Sequence, residues 1–273
     1  MLSLPGTDIH VSPYMDSTRT VRLEFRDHIA FLTLSRPDVG NSINLDVGEE
    51  FFAAALAVES AAARAIVLTG EGKNFCFGGD LKGMMATGTD VRAYLRELTA
   101  RLHDGLALFA RMDAPLIAAV NGSAAGAGLG LALAADVTIA ARSAKFAPAY
   151  VGVGLTPDAG CTFLLPRAVG YKRAVELFLT NRALDAEQAL AWGLVNQVVD
   201  DDKLLPSAEA LAMRLAAGPV GAFGVIKRLM AASLPSFDAQ LARESHAIAT
   251  QSATPEGREG ITAFLEKRPP HFI

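Results

Sequence analysis

A chain of 273 residues, 51% apolar and with a net charge of −4, is long enough for one large core plus a short appendage and buries roughly three quarters of its unfolded surface. Its apolar residues come in short runs, none near the 18 or more of a membrane span, and its lysines and arginines are scattered, which excludes a nucleic-acid or anionic-membrane footprint. The N-terminus MLSLPGTDIH lacks the regions of a signal peptide, and Cys76 and Cys161 have no CxxC spacing or histidine partner, so we expect a cytoplasmic protein with reduced structural thiols and no metal.

Residues 1–19, with Pro, Ser, Thr and Gly and no periodicity, read as a loosely ordered leader. Val21, Leu23 and Phe25 alternate with polar residues, Arg26-Asp27 punctuate, and 28–34 read as a second strand, giving a hairpin. Asn44 is placed to cap a helix whose Val47, Phe51, Ala54, Ala55 and Val58 recur at helical spacing. A strand over 65–69 leads into the small-residue loop FCFGGDLKGM (75–84), and a helical run over about 90–111 leads to a strand over 116–120. The run NGSAAGAGLGLALAAD (121–136) follows, then a strand over 137–141, with Asp136 between them as a structural hydrogen-bonding residue. Asp185 and Gln188 form a capping-box pattern, and helices are predicted over 204–217, 219–232 and 237–252. Strands alternating with helices make an α/β core over 20–199, with a helical region over 200–273.

Small residues at Gly126, Ala127 and Gly128 permit close backbone approach, and a helix starting there aims unpaired N–H groups and its positive dipole end at whatever lies in front. That suits a developing oxyanion. The same run also reads as a tight turn feeding a buried helix.

Both glycine loops occur in order with HIAFLTLSRP (28–37) and Asn41 and Asn44 behind it, PLIAAVNG (115–122), KFAPAYVGVGLTPDAGCTFLLPR (145–167) and REGITAFLEKRPPHF (258–272). From about Thr20 onward this pattern resembles the crotonase superfamily, the enoyl-CoA hydratases and isomerases. The resemblance implies a crotonase-like spiral of β-β-α units with a C-terminal helical appendage that packs against neighbouring subunits of a trimer, often paired into hexamers. It implies an acyl-CoA thioester substrate, with coenzyme A as part of the substrate and no permanently bound cofactor. The oxyanion donors would be the backbone amides of Gly79 and Ala127, and Asp80, Leu81 and Lys82 would pass the nucleotide end. Phe264 and Lys267 match contacts to the adenine and 3′-phosphate side; Lys82 also reads as a solvated lysine, and the terminal segment as a plain amphipathic helix. Phe77, Met84, Gly130 and Tyr150 are assigned to the substrate pocket, with Met85 in the same wall.

The chain departs from the hydratase pattern at the base. Hydration uses two glutamates around one water, and Gly130 and Tyr150 stand at those positions. Asp158 in GLTPDAG (154–160) matches an aspartate of phenylacetate-pathway type isomerases, the closest group, and of dihydroxynaphthoyl-CoA synthases. One carboxylate among Val151, Val153, Leu155, Phe163 and Phe77 could take a proton at one carbon and return it at another, which is double-bond isomerisation. Two other readings stay open: hydration or other crotonase chemistry using Asp158 with water, Tyr150 or an acid from the 90–111 helix, and an acyl-CoA-binding protein without chemistry. Residues 157–160 also read as a turn in which Asp158 bonds its own backbone, and Tyr150 as a ring filling the volume of the absent glutamate. Ser123 lacks a following histidine at a suitable place, and the five histidines, His103 among them, read as surface or structural.

Overall fold

The computed structural model describes residues 20–272 apart from 87, 89 and 233–236, so the leader expected over 1–19 lies outside the described residues. β1 (Val21–Arg26) and β2 (Ile29–Leu34) form the expected hairpin. The Asn44 side chain accepts the Val47 N–H at 3.0 Å and starts α1 (Leu45–Ser60), a cap worth about 1 kcal/mol. After β3 (Ala65–Gly70) come α2 (Leu81–Ala86) and α3 (Val91–Arg111), the latter spanning the predicted helical run. The next segments are β4 (Leu116–Val120), β5 (Ser123–Ala125), α4 (Ala127–Ala134), β6 (Val137–Ala141), β7 (Lys145–Ala147), α5 (Cys161–Val169) and α6 (Tyr171–Thr180). The remainder is β8 (Leu184–Asp185), α7 (Ala186–Trp192) opened by the Asp185 and Gln188 capping box, β9 (Gln197–Val199), α8 (Leu204–Ala216), α9 (Val220–Ala231), α10 (Phe237–Ser252) and α11 (Pro255–Glu266).

The strands make two sheets. The larger runs β1-β2-β3-β4-β6-β9, parallel from β2 onward, and the smaller runs β5-β7-β8. Twice in succession, in β4-β5-α4 and β6-β7-α5, the chain leaves the large sheet, adds a strand to the small one and turns into a helix. This is the β-β-α spiral. The strands of the small sheet span two or three residues each, too few for an alternating pattern to announce them.

Alternation in the large sheet divides the apolar residues between two cores. Ile66, Leu68, Leu116, Ala118 and Val120 join α1 and α3, where Phe51 and Phe109 meet edge-on with ring centres 5.3 Å apart. Val67, Ile117, Ala119 and Ile139 face the other way onto Leu204, Ala208, Ala212 and Ala216, every fourth residue of α8. Burial on both faces explains why β3 and β4 read as unbroken apolar runs. Asp136 accepts the Leu116 N–H and pairs with Lys227 Nζ, both at 2.8 Å, which ties α9 to the sheet and gives Asp136 the structural role expected of it.

Candidate active site

The loop after β3 is held by two asparagines. Asn41 Nδ2 donates to the carbonyls of Glu71 (3.0 Å) and Asn74 (2.7 Å), and Asn121 Nδ2 donates to Gly72 (2.9 Å) and Asn74 (3.2 Å). The loop then zips onto β5: Cys76 N–H donates to the Ser123 carbonyl at 3.0 Å and Ala125 N–H to the Cys76 carbonyl at 2.9 Å. At Gly78 (φ +85°) the two loops cross, and a Cβ there would stand 2.8 Å from the Ala125 oxygen and 3.0 Å from the Ala127 nitrogen. Any larger residue would push the loops apart.

This crossing sets two amides side by side in one wall. Ile43 brackets Gly79, donating to the Gly78 carbonyl at 2.7 Å and accepting from Asp80 N–H at 2.9 Å, while the Gly79 N–H finds no acceptor among the described residues. Ala127 opens α4 behind Gly126 (φ 54°, ψ −126°), and its N–H is likewise without an acceptor there, at the positive end of the helix. Both residues line a cavity of about 470 Å³.

The cavity is also lined by residues of the segment from Ala149 to Asp158 and by the α3 face carrying Arg92, Leu95, Arg96, Thr99 and Leu102. Among the described residues, Asp158 is the one carboxylate lining the cavity. Its Oδ1 accepts the Tyr150 hydroxyl at 2.6 Å, and Oδ2 has no protein partner among the described residues. Burial above all, then the neighbouring Cys161 and Asp158, push the Tyr150 phenol well above its ordinary range, so it stays a neutral donor. Tyr150 therefore does more than fill the volume of a missing glutamate: its hydroxyl orients the carboxylate. Burial likewise pushes the Cys161 thiol, 3.6 Å from that hydroxyl, up to about 12, leaving it protonated and inert.

Residues 158–161 do form a turn, Cys161 N–H donating to the Asp158 carbonyl at 2.9 Å, but the carboxylate does not bond its own backbone. Both central residues are left-handed, Ala159 at φ +48° and Gly160 at φ +75°. Gly130 makes room for this turn. A Cβ at residue 130 would stand 2.5 Å from Ala159 Cβ and 2.6 Å from its carbonyl oxygen, so the Asp158 turn occupies the space a side chain at 130 would need. Gly130 thus sits behind the cavity rather than in its lining.

Several assigned residues fall elsewhere. Phe77, Val153 and Leu155 line the cavity, and so does Leu81, which the resemblance gave to the nucleotide end; Val151 and Phe163 do not, and Phe163 instead lies under the Arg167 guanidinium, 3.4 Å from its ring centre. Met84 points into the main core and Met85 into solvent, because the α2 face that carries residue 84 packs inward. The Asp80 carboxylate is spent on the fold, pairing with Arg36 at 2.9 Å and accepting the Gly83 N–H at 2.8 Å. Burial raises its pKa, but these partners outweigh it and hold it below the usual range. Lys82 is exposed beside the loop, whereas Phe264 and Lys267 on and after α11 are exposed and outside the cavity lining of this chain. No acid of α3 lines the cavity. Sequence reasoning missed His103, whose Nε2 accepts the Ala159 N–H at 3.1 Å, because nothing in the spacing of α3 announces a partner 56 residues away.

Comparison with known proteins agrees with this architecture. The sequence model of the enoyl-CoA hydratase/isomerase family matches residues 24–273. A Rhodobacter capsulatus protein named "Probable enoyl-CoA hydratase" is 44% identical over 94% of this chain and 98% of its own length. The 1,2-epoxyphenylacetyl-CoA isomerase of Escherichia coli is 42% identical over 88% of this chain and 93% of its own. The crystal structure of an enoyl-CoA hydratase from Polaromonas sp. JS666 superimposes with a TM-score of 0.87 at 34% identity, covering 92% of this chain and 98% of that one. Matches of this extent, together with the spiral and its paired loops, show that the chain belongs to the enoyl-CoA hydratase/isomerase family of the crotonase superfamily.

Proposed function

We propose that this crotonase-family enzyme isomerises the double bond of an enoyl-CoA between the 3,4 and 2,3 positions, with Asp158 as the single base. The observation that carries the reading is the lone carboxylate of the cavity, one oxygen held by Tyr150 and the other unpartnered, in the same cavity as two unpaired backbone N–H groups. Asp158 Oδ2 takes a proton from the α carbon of a 3-enoyl thioester, and the Gly79 and Ala127 N–H groups bind the resulting dienolate oxygen. Losing one such donor typically costs about 3–4 kcal/mol of transition-state stabilisation. The same carboxyl group returns the proton to the γ carbon, so no water, redox partner or second acid is consumed. A mostly apolar wall of Phe77, Leu81, Leu95, Val153 and Leu155 suits an acyl chain and keeps water from the dienolate. The family resemblance would give Leu81, which lines the cavity, and the exposed Lys82 to the nucleotide end; Phe264 and Lys267, outside the cavity lining of this chain, are proposed as contacts of the bound coenzyme A only in the assembled oligomer.

The test is a panel of 2-enoyl and 3-enoyl thioesters incubated with the enzyme in deuterated water. We expect double-bond migration with deuterium entering the α and γ carbons and no 3-hydroxyacyl product. Hydration without migration would support the chemistry named in the hydratase relatives, and neither reaction nor exchange would leave a binding protein.

Assembly is proposed on the apolar side chains left on the helical surface. Leu179, Met230, Ile248, Phe264 and Leu265 are each 73% exposed or more in the isolated chain, and a neighbouring subunit would cover them. We expect a trimer or hexamer by light scattering, and a monodisperse monomer at micromolar concentration would contradict it.

A further inference from the structure

We propose that His103 is a positioning residue for Asp158, acting through the peptide that follows it. The inference rests on Asp158 being the base. The peptide between Asp158 and Ala159 is clamped at both polar ends: its carbonyl accepts Cys161 N–H at 2.9 Å and its N–H donates to His103 Nε2 at 3.1 Å. With the Tyr150 hydroxyl on Oδ1 at 2.6 Å, the aspartate is held at its side chain and on both edges of its following peptide. Tyr150 and Cys161 come from the same segment as Asp158. His103 alone comes from across the cavity, from the helix whose Thr99 and Leu102 form the acyl wall.

Two further observations give the contact consequence. Ala159 has 0% of its surface exposed with the His103 ring in place, so in the folded chain the imidazole and not water is the acceptor of its N–H. Ala159 is also a non-glycine residue at φ +48°, a conformation that side-chain sterics disfavour and that persists only when its surroundings over-determine it. Without the imidazole, rotation of the 158–159 peptide relieves that strain and swings the carboxylate away from the substrate carbons. The accepting nitrogen must be Nε2, so the proton of the neutral ring sits on Nδ1. His103 thereby ties the position of the base to the helix that positions the acyl group.

The experiment is a series at residue 103 read on a 3-enoyl-CoA, alongside binding of the saturated acyl-CoA of the same length. His103→Leu should lower kcat about tenfold to a hundredfold, the scale of a small misplacement of a catalytic group, with KM and saturated-thioester binding within about twofold. His103→Gln, whose Oε1 reaches as far as Nε2 and accepts, should recover most of the loss. His103→Asn, equally polar but one bond shorter, should behave like His103→Leu. In an Asp158→Asn background, His103→Leu should add little, because both changes act through one carboxylate. Parental kcat in His103→Leu, or equal losses in the glutamine and asparagine variants, would overturn the positioning role while leaving the Asp158 reading intact. Parental turnover in Asp158→Asn alone would instead overturn the base assignment on which this rests.

Discussion

If Asp158 is the base of the proposed isomerisation, replacing it by asparagine should lower that turnover about 10²–10⁴-fold, the usual worth of a positioned general base, and should leave coenzyme A thioester binding in place. The loss falls on kcat because the carboxylate acts on protons moving in the transition state and contributes little to holding the thioester. Asparagine keeps the size of the side chain and can still accept the Tyr150 hydrogen, so the turn and the cavity persist while the basic oxygen is gone. Tyr150→Phe costs less, on the order of tenfold, from a lost hydrogen bond to a charged group of about 1.5–3 kcal/mol, part of which water recovers at the half-buried carboxylate. Steady-state kinetics on a 3-enoyl thioester, with binding of the saturated analogue as control, checks both. Unchanged turnover in Asp158→Asn would move the base to another residue.

Water should add to a 2-enoyl-CoA at below about one-hundredth of the rate of a two-glutamate enzyme, and introducing one glutamate by Gly130→Glu should not raise hydration. The first half follows from the absence of a second carboxylate in the cavity lining. The second follows from packing: a Cβ at residue 130 lands 2.5 Å from Ala159 Cβ, so the substitution expels the Asp158 turn rather than adding an acid beside it. Overpacking of this kind costs about 1–3 kcal/mol, and the isomerase falls with it because the displaced residue precedes Ala159 directly. A crotonyl-CoA hydration assay on parent and variant, with isomerisation followed in parallel, decides it. Ordinary hydratase efficiency in the parent, or a gain of hydration with isomerisation retained in Gly130→Glu, would refute the argument from missing and excluded carboxylates.

Much of the frame was legible in the chain. The Asn44 cap, the 90–111 helix and the Asp185 capping box each rest on residues within a few positions of one another, and local hydrogen-bonding and periodicity rules reach that far. Glycine and alanine patterning announced both loops, because close backbone approach demands small residues whatever the rest of the fold does. Met84 was misplaced for the opposite reason: within one turn of α2, core and cavity are both apolar, and composition alone does not tell which face is which. Asp80 reads as a ligand contact in the sequence because its partner Arg36 lies 44 residues away.

The family, the α/β spiral and the candidate carboxylate thus follow from the order of short motifs, each encoded by neighbours in the chain. What the folded chain adds is pairwise and remote. It makes Tyr150 an orienting donor, sets His103 against Ala159, and shows Gly130 giving up its side-chain volume to the Asp158 turn. A contact between residues 8 positions apart, as Tyr150 and Asp158, or 56 apart, as His103 and Ala159, follows no sequence period, so it exists only once the fold has brought its two ends within about 3 Å.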